Sequence, residues 1–324
     1  MDRRTFVKNT ISIAALSGFL PLACSFLKKE PLFKISLAEW SLHNTLFGDA
    51  REKLGSEKFS EGLRKNSETT LTGEITNLDF PVIARQKFGI EGVEYVNQFF
   101  LDKARDEKYL RELKNRAIQE GVTNVLIMID MEGRLGAPDT EERKTAIDNH
   151  IKWIDAAAFL GCHSIRVNAH GEGTAEEQQK QVSDSLYQLA EYGDKNNVNV
   201  IVENHGRLSS DPDWLSDVLK QVNHPRAGTL PDFGNFPEEI DKYLAIQKLM
   251  AFAKGVSAKS NKFDEHGNEI SIDFKKMMEI VLNAGYRGFV GIEFSGPKEV
   301  EYEGIRKTKI LLERIRNQLK QQFS

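Results

Sequence analysis

Apolar positions in this chain follow two patterns that alternate from residue 33 onward. Short apolar runs fit buried strands, and longer segments carry apolar residues at helical spacing. This alternation predicts an α/β fold, a (β/α)8 TIM barrel; an open doubly wound sheet is the alternative, because periodicity does not prove closure. Strands are predicted at residues 34–40, 91–96, 124–130, 164–168, 198–203, 227–231, 253–258 and 288–293, and helices at about 81–88, 107–120, 140–160, 174–196, 212–221, 238–250, 273–284 and 302–319.

The segment 45–79 interrupts this alternation, because it is long, polar and rich in Ser, Thr, Gly and Lys. It follows the first predicted strand, so it should emerge on the barrel face where the strands end. Loops of this length in compact domains are usually functional or disordered. We interpret the segment as a partial lid with a short helix near residues 60–65, and a floppy insertion is the alternative.

The first 24 residues have the features of an export signal. Arg3 and Arg4 form a twin-arginine pair, and the apolar stretch 11–22 is too short and too interrupted for a transmembrane helix. Cys24 lies where a lipoprotein cleavage site has its cysteine. The expected location is therefore the bacterial periplasm, with a possible lipid anchor on Cys24. The expected organisation is a twin-arginine-type signal peptide over 1–24, a linker over 25–32 and a single barrel domain over 33–324.

Charge and motifs exclude several classes of function. The formal net charge of −4 lacks the basic footprint of a nucleic-acid-binding protein. The sequence has no P-loop and no G-x-G-x-x-G opening a first helix, which argues against a nucleotide cofactor. Cys24 and Cys162 are the two cysteines, so a lipid on Cys24 would leave no disulfide framework.

Three predicted strands in the second half of the chain end in, or directly before, a carboxylate: Glu203, Asp232 and Glu293. In a parallel barrel the C-terminal ends of the strands converge on one pocket, so these acids should meet. Carboxylates brought together repel one another unless a cation or shared protons offset the charge. The pattern therefore predicts a divalent-metal site or an acid–base site, with polar strand ends suited to a small polyhydroxylated substrate.

The segments 202–204, 232–235, 256–259 and 291–294 resemble, in order and spacing, the xylose isomerase-like superfamily of sugar isomerases and epimerases. The resemblance implies a TIM barrel from residue 33 to the last helix. It also implies that Glu203, Asp232 and Glu293 bind a divalent metal (Mn, Co, Mg or Zn) together with a histidine from strand seven. The acids matching Glu203 and Glu293 exchange protons on opposite faces of the substrate in that superfamily.

Two positions depart from the superfamily pattern. Ser257 stands where strand seven usually carries the metal-binding histidine, and Asn235 stands where a histidine often follows the acid of strand six. Serine is a poor neutral ligand for Mn²⁺, Co²⁺ or Zn²⁺. A water in place of the histidine, recruitment of His205 or His170, and a site without metal, in which Lys259 offsets the acids, remain alternatives.

The leading hypothesis is an exported carbohydrate isomerase or epimerase that removes a proton next to a carbonyl with the assistance of a metal. A lyase or hydratase acting on 3-keto sugars or keto-glycosides is the second hypothesis, and a non-catalytic sugar-binding lipoprotein is the third. Glu203 and Glu293 are the predicted base and acid. Lys259 and His205 are predicted to polarise substrate oxygens. The predicted substrate-binding residues are Glu39, Trp40, Glu94, His170, Asn204, Asn235 and Ser257.

Overall fold

Parallel strands form the centre of the computed structural model, which describes residues 30–323. The predicted signal segment, including Cys24, and residues 25–29 of the predicted linker lie outside the described residues. The strands are β1 (Lys34–Ala38), β2 (Gly92–Val96), β3 (Thr123–Met128), β4 (Ser164–Val167), β5 (Asn199–Glu203), β6 (Ala227–Leu230), β7 (Val256–Ser260) and β8 (Phe289–Phe294).

The order of the strands closes the sheet into a barrel. Neighbours run β6-β5-β4-β3-β2-β1-β8-β7, so the first and last strands of the chain pair with each other. Between β6 and β7, parallel bridges join Thr229 to Ala253 and Asp232 to Ser257. The predicted (β/α)8 TIM barrel is therefore confirmed, and the strand ends share one face.

The helices pack around this barrel, and side chains cap the first turns of several of them. Thr174 and Glu177 form a reciprocal capping box, and the carboxylate of Asp211 caps the helix that begins at Pro212. Among the described residues, no helix combines the length and apolar character that crossing a membrane requires. The helices are α1 (His43–Phe47), α2 (Ala50–Leu54), α3 (Ser56–Thr70), α4 (Phe80–Phe88), α5 (Glu107–Gln119), α6 (Thr140–Leu160), α7 (Ala175–Asn196), α8 (Pro212–Val222), α9 (Lys242–Leu249), α10 (Phe274–Asn283) and α11 (Glu301–Phe323).

The segment 45–79 differs from its prediction, because much of it is helical rather than loop. Helix α3 extends well beyond the short helix expected near residues 60–65. Its buried residues Phe59 and Leu63 are four positions apart, a spacing that places them on one helical face. The backbone is non-helical at Asn66, so the buried Ser67 belongs to the turn after this kink. The ring of Phe59 meets that of Phe47 edge-on at 5.4 Å. Phe47 in turn packs against Phe99, which follows β2, at 4.9 Å, so the apolar residues of the segment attach it to the barrel.

Strand seven also begins later than predicted. Residues Met250–Phe252 form a 3-10 turn, and β7 runs from Val256 to Ser260 instead of 253–258. The apolar run before Gly255 suggested an earlier start, but tertiary packing assigns it to the helix end. Lys259 consequently lies inside the strand, two residues after Ser257, so both side chains share one face.

Candidate functional site

A cavity of about 430 Å³ opens at the C-terminal ends of the strands. Its floor includes Glu203 at the end of β5, Lys259 of β7 and Glu293 of β8. Its wall includes Trp40 after β1, and Phe59 of α3. The barrel therefore gathers residues from distant parts of the chain into one pocket.

The three predicted acids converge here; Glu203 and Glu293 line the cavity, and Asp232 lies behind them. One carboxylate oxygen from each of Glu203, Asp232 and Glu293 lies within 4.8 Å of the other two. All three side chains are buried, with residue exposures of 1%, 0% and 4%. Their convergence places several negative charges in a region of low dielectric, where compensation is required.

Two protein cations supply part of that compensation. Lys259 Nζ donates to Glu293 Oε1 at 2.7 Å. Arg166 Nη1 donates to Asp130 Oδ1 at 2.9 Å, and Arg166 Nε lies 2.8 Å from Glu203 Oε2 without the alignment of a hydrogen bond. The guanidinium is thus held between Asp130 and Glu203. Glu203, Asp232 and Glu293 are called the acid triad, or the triad, below.

Neutral donors bind three further oxygens of these acids. Asn235 Nδ2 donates to Glu203 Oε1 at 2.8 Å. Asp232 accepts from the Ser257 hydroxyl at 2.5 Å through Oδ2 and from the Gly234 backbone N–H at 2.8 Å through Oδ1. The Asn204 side chain exchanges two hydrogen bonds with the backbone of Asp232, so it orients the acid and does not face the cavity.

The same environment separates the proton affinities of the acids. Burial raises the pKa of Glu203 to about 7, against the opposing effect of Arg166. Burial raises the pKa of Asp232 to about 8, although Lys259 opposes the shift. Burial also acts to raise the pKa of Glu293, but its ion pair with Lys259 holds that pKa below the ordinary value. The environment therefore favours protonation of Glu203 and Asp232 and ionisation of Glu293.

Predicted residues on the outer wall lie close together. His205 Nδ1 is 2.9 Å from Asn168 Oδ1, and the ring of His205 stacks with that of His170 at 6.3 Å. Trp40 stacks on His43 at 4.7 Å and contributes to the cavity wall. Their binding roles remain predictions, but their positions are those that contact with a bound molecule requires.

Glu39 and Glu94 do not line the cavity among the described residues. Glu39 accepts hydrogen bonds from the Asn77 side chain and the Val96 backbone N–H, so it joins β1 to neighbouring segments. Glu94 accepts a hydrogen bond from the Ser36 hydroxyl. Its carboxylate lies against Gly291, which precedes Glu293 by two residues and lies on the same face of β8. It occupies a layer of the barrel interior below the triad.

Several cavity residues are absent from the predicted set. Asp130 and Arg166 were visible as polar residues in or after strands, but their pairing depends on tertiary contacts. Gln98 donates to Asp130 Oδ2 at 3.0 Å. Arg51 and Phe59 come from the helical segment after β1, whose polar sequence gave no indication of which residues face the pocket.

The Glu94 carboxyl gives a testable pH dependence of stability. Burial raises its pKa to about 8, so between about pH 4.5 and 8 the folded state holds a proton that the unfolded state has lost. The resulting stabilisation is present below that interval and is lost as pH rises through it, at up to about 1.4 kcal/mol per pH unit. Glu94→Gln should therefore flatten the pH dependence of the free energy of unfolding, measured by urea denaturation from pH 5 to 8.

A matched control for Glu94→Gln is Glu176→Gln, which alters an exposed acid on α7. The control should retain the pH dependence of the unmodified protein. Equal slopes for Glu94→Gln and the unmodified protein would show that Glu94 is ionised in the folded state.

The triad's fit to a divalent ion is mixed. Its three oxygens converge as metal ligands do, and carboxylates suit Mg²⁺ and Mn²⁺. However, Lys259 and Arg166 already contact two of the carboxylates, and the Ser257 hydroxyl is directed at the third. Among the described residues, no histidine joins the cluster. As arranged, these donors do not fit a bound divalent ion.

Comparison with known proteins gives a family-level match. A family profile described as "Xylose isomerase-like TIM barrel" matches residues 83–317. No curated protein sequence matches the chain.

Solved structures show the same fold at low sequence identity. The 3-keto-D-glucoside 4-epimerase YcjR from E. coli is 17% identical, with a TM-score of 0.61, covering 74% of this chain and 94% of its own. The probable 3-DHS dehydratase AsbF from Bacillus anthracis is 14% identical, with a TM-score of 0.60 and coverages of 86% and 99%. The zinc-bound IOLI protein is 12% identical, with a TM-score of 0.63 and coverages of 88% and 99%. At these identities the likeness shows the fold alone.

Proposed function

We propose that this chain, which belongs to the xylose isomerase-like TIM-barrel family, is an isomerase or epimerase that transfers a proton next to the carbonyl of a small carbohydrate. The observation that carries the proposal is the pair Glu203 and Glu293, two buried carboxylates that line one cavity and have different partners. Similarity to an epimerase that acts on a keto-glucoside supports a substrate of this class.

Proton transfer suits the two carboxylates because their environments differ. A group with a pKa near the working pH both accepts and returns protons effectively, and the pKa of Glu203 is raised to about 7 by burial. We assign Glu203 as the base that removes the proton from carbon and later releases it to solvent. Glu293, on the other side of the reacting carbon, is ionised at rest, so it takes up a proton from solvent before it returns one to carbon. Each such transfer contributes about 10²–10⁴-fold to the rate.

Removal of the proton develops negative charge on the carbonyl oxygen, and nearby cations stabilise that charge. Lys259 lines the cavity and its ammonium is fixed at 2.7 Å from Glu293. We assign Lys259 to donate a hydrogen bond to the developing oxyanion, and His205 to orient a neighbouring hydroxyl. The sequence analysis expects metal assistance, but the donors as arranged do not fit a divalent ion, so the steps assigned here use side chains alone.

A lyase or dehydratase acting on a keto-sugar is the second candidate. It begins with the same removal of a proton but expels a leaving group from the next carbon. Similarity to a probable dehydratase supports it, as does the same arrangement of acids. Conservation of substrate mass separates isomerisation from elimination.

We also propose that the protein is exported. The support is the twin-arginine pair Arg3 and Arg4, the apolar stretch 11–22 and Cys24. Fractionation of cells that express the full chain, with Arg3→Lys plus Arg4→Lys as the comparison, should show loss of the periplasmic form in the variant. Equal distribution of both proteins would contradict export by this route.

Incubation with keto-sugars in D₂O tests the proposed function. Solvent deuterium should enter the carbon next to the carbonyl, detected by NMR and mass spectrometry. An isomer of unchanged composition supports the leading proposal, whereas loss of water or of an aglycone supports the lyase. Absence of deuterium from every keto-sugar tested would contradict both enzyme proposals.

A further inference from the structure

We infer that Arg166 and Lys259 take the place of a divalent cation in this site, and that the three carboxylates hold no tightly bound metal. This inference deepens the proposed function, on which it rests for its catalytic meaning. Its physical basis is the occupation of the carboxylate oxygens that a metal ion would need. The zinc-bound protein of similar fold provides the contrast.

The first argument is the number of oxygens that are already bonded. Glu203 Oε1 accepts from Asn235, and Glu203 Oε2 lies 2.8 Å from Arg166 Nε. Both oxygens of Asp232 accept hydrogen bonds, from Gly234 and from Ser257. Glu293 Oε1 accepts from Lys259. Four of the six oxygens thus accept hydrogen bonds, and Glu203 Oε2 has only the ion pair with Arg166. Among residues 30–323, this leaves Glu293 Oε2 without either kind of partner.

The second argument is charge. Asp130 and the three converging acids carry at most four negative charges, and Arg166 and Lys259 contribute two positive charges in direct contact with Asp130, Glu203 and Glu293. A divalent ion among the same oxygens would face two buried cations at short range, which is strongly unfavourable in a low dielectric. The protein itself therefore offsets part of the negative charge that a metal ion would otherwise offset.

The third argument is the residue in strand seven. Ser257 presents a neutral hydroxyl whose hydrogen is directed at Asp232 Oδ2. Lys259 lies two positions further along the same strand, so its ammonium reaches the triad from the same face. Strand β7 therefore offers a weak neutral ligand, Ser257, where a transition metal requires a nitrogen ligand. The same strand also places a cation, Lys259, next to the position that the metal ion would occupy.

The consequence for the reaction is a different source of electrophilic assistance. A hydrogen-bonding ammonium stabilises an oxyanion by charge and donation, as a fixed positive group in a site shielded from water. Lys259 already has this position at the cavity floor. Turnover should then proceed in the presence of a chelator.

The test measures metal directly on the full chain, without substrate. Protein purified without added metal should contain far less than one Mn, Co, Zn or Mg ion per chain by elemental analysis. Titration calorimetry with MnCl₂ and ZnCl₂ should show no saturable tight binding, and EDTA should leave the thermal unfolding midpoint unchanged.

A gain-of-binding variant makes the inference sharper. Ser257→His combined with Lys259→Met supplies an imidazole and removes the ammonium. It should bind Mn²⁺ or Zn²⁺ at least about 10–100-fold more tightly than the unmodified protein and gain thermal stability on metal addition. Ser257→His combined with Lys262→Met is the control, because it adds the same imidazole but removes an exposed lysine instead. The control should bind metal more weakly than the first variant.

Near-stoichiometric metal in the unmodified protein, with a lower unfolding midpoint in EDTA, would overturn the inference. Equal metal binding by the two double variants would overturn the role of Lys259. These outcomes are independent of the proposed function: metal found together with deuterium exchange rejects this inference alone, whereas absence of both metal and exchange rejects the proposed function alone.

Discussion

Glu203→Gln should lower the rate of deuterium exchange by about 10²–10⁴-fold, because the substituted amide cannot accept the proton from carbon. Glutamine has nearly the same shape, and its amide oxygen can still accept from Asn235, which donates to Glu203 Oε1 at 2.8 Å. The fold should therefore persist while the chemistry is lost. The measurement is NMR-detected exchange in D₂O, with circular dichroism to verify folding.

Glu176→Gln again serves as the control, because it makes the same chemical change at an exposed position on α7. It should exchange at the rate of the unmodified protein. If folded Glu203→Gln keeps that rate as well, then Glu203 is not the base, and Glu293 and Asp130 remain as the other acids that line the cavity.

Arg166→Met should reduce the free energy of unfolding by about 3–5 kcal/mol, the usual cost of removing one partner of a buried ion pair. Arg166 is 4% exposed and contacts both Asp130 and Glu203. The guanidinium overcomes the effect of burial on Asp130 and lowers its pKa to about 2. Without the guanidinium, two buried acids lose their cation and must take up protons or remain unpaired. Urea denaturation at pH 7 measures the loss.

Two further variants separate charge from packing. Arg85→Met removes an arginine from an exposed pair with Glu91 and should cost no more than about 1 kcal/mol. Asp130→Asn combined with Arg166→Met should recover part of the loss, because one uncompensated carboxylate is removed. A cost for Arg166→Met as small as that for Arg85→Met would show that the buried pairs do not contribute to stability.

Local pattern predicted most of the barrel and the approximate limits of its elements. The acids at the ends of β5 and β8, and the acid after β6, were identified because strand period and chain direction fix where such residues point. The segment after β1 was less predictable. Its helix α3 has few apolar residues. Phe59 lines the pocket and packs against Phe47, a tertiary contact that the local sequence pattern does not indicate.

Predictions of individual roles were limited by long-range contacts. Glu39 and Glu94 had the same strand-end appearance as the triad, yet Asn77 and Val96 bind Glu39, and Ser36 binds Glu94 inside the barrel. Whether an acid faces solvent, substrate or another strand depends on neighbours from other parts of the chain, which no local pattern contains.

By itself, the sequence determined that parallel strands alternate with helices and that three carboxylates meet at one end of the barrel, because these features follow from local period and chain direction. Only the tertiary structure decided how those carboxylates are neutralised. Arg166 comes from β4 and Lys259 from β7, and their distances to Glu203 and Glu293 depend on barrel closure and strand register. Ion pairing acts over a few ångströms in space, irrespective of separation along the chain.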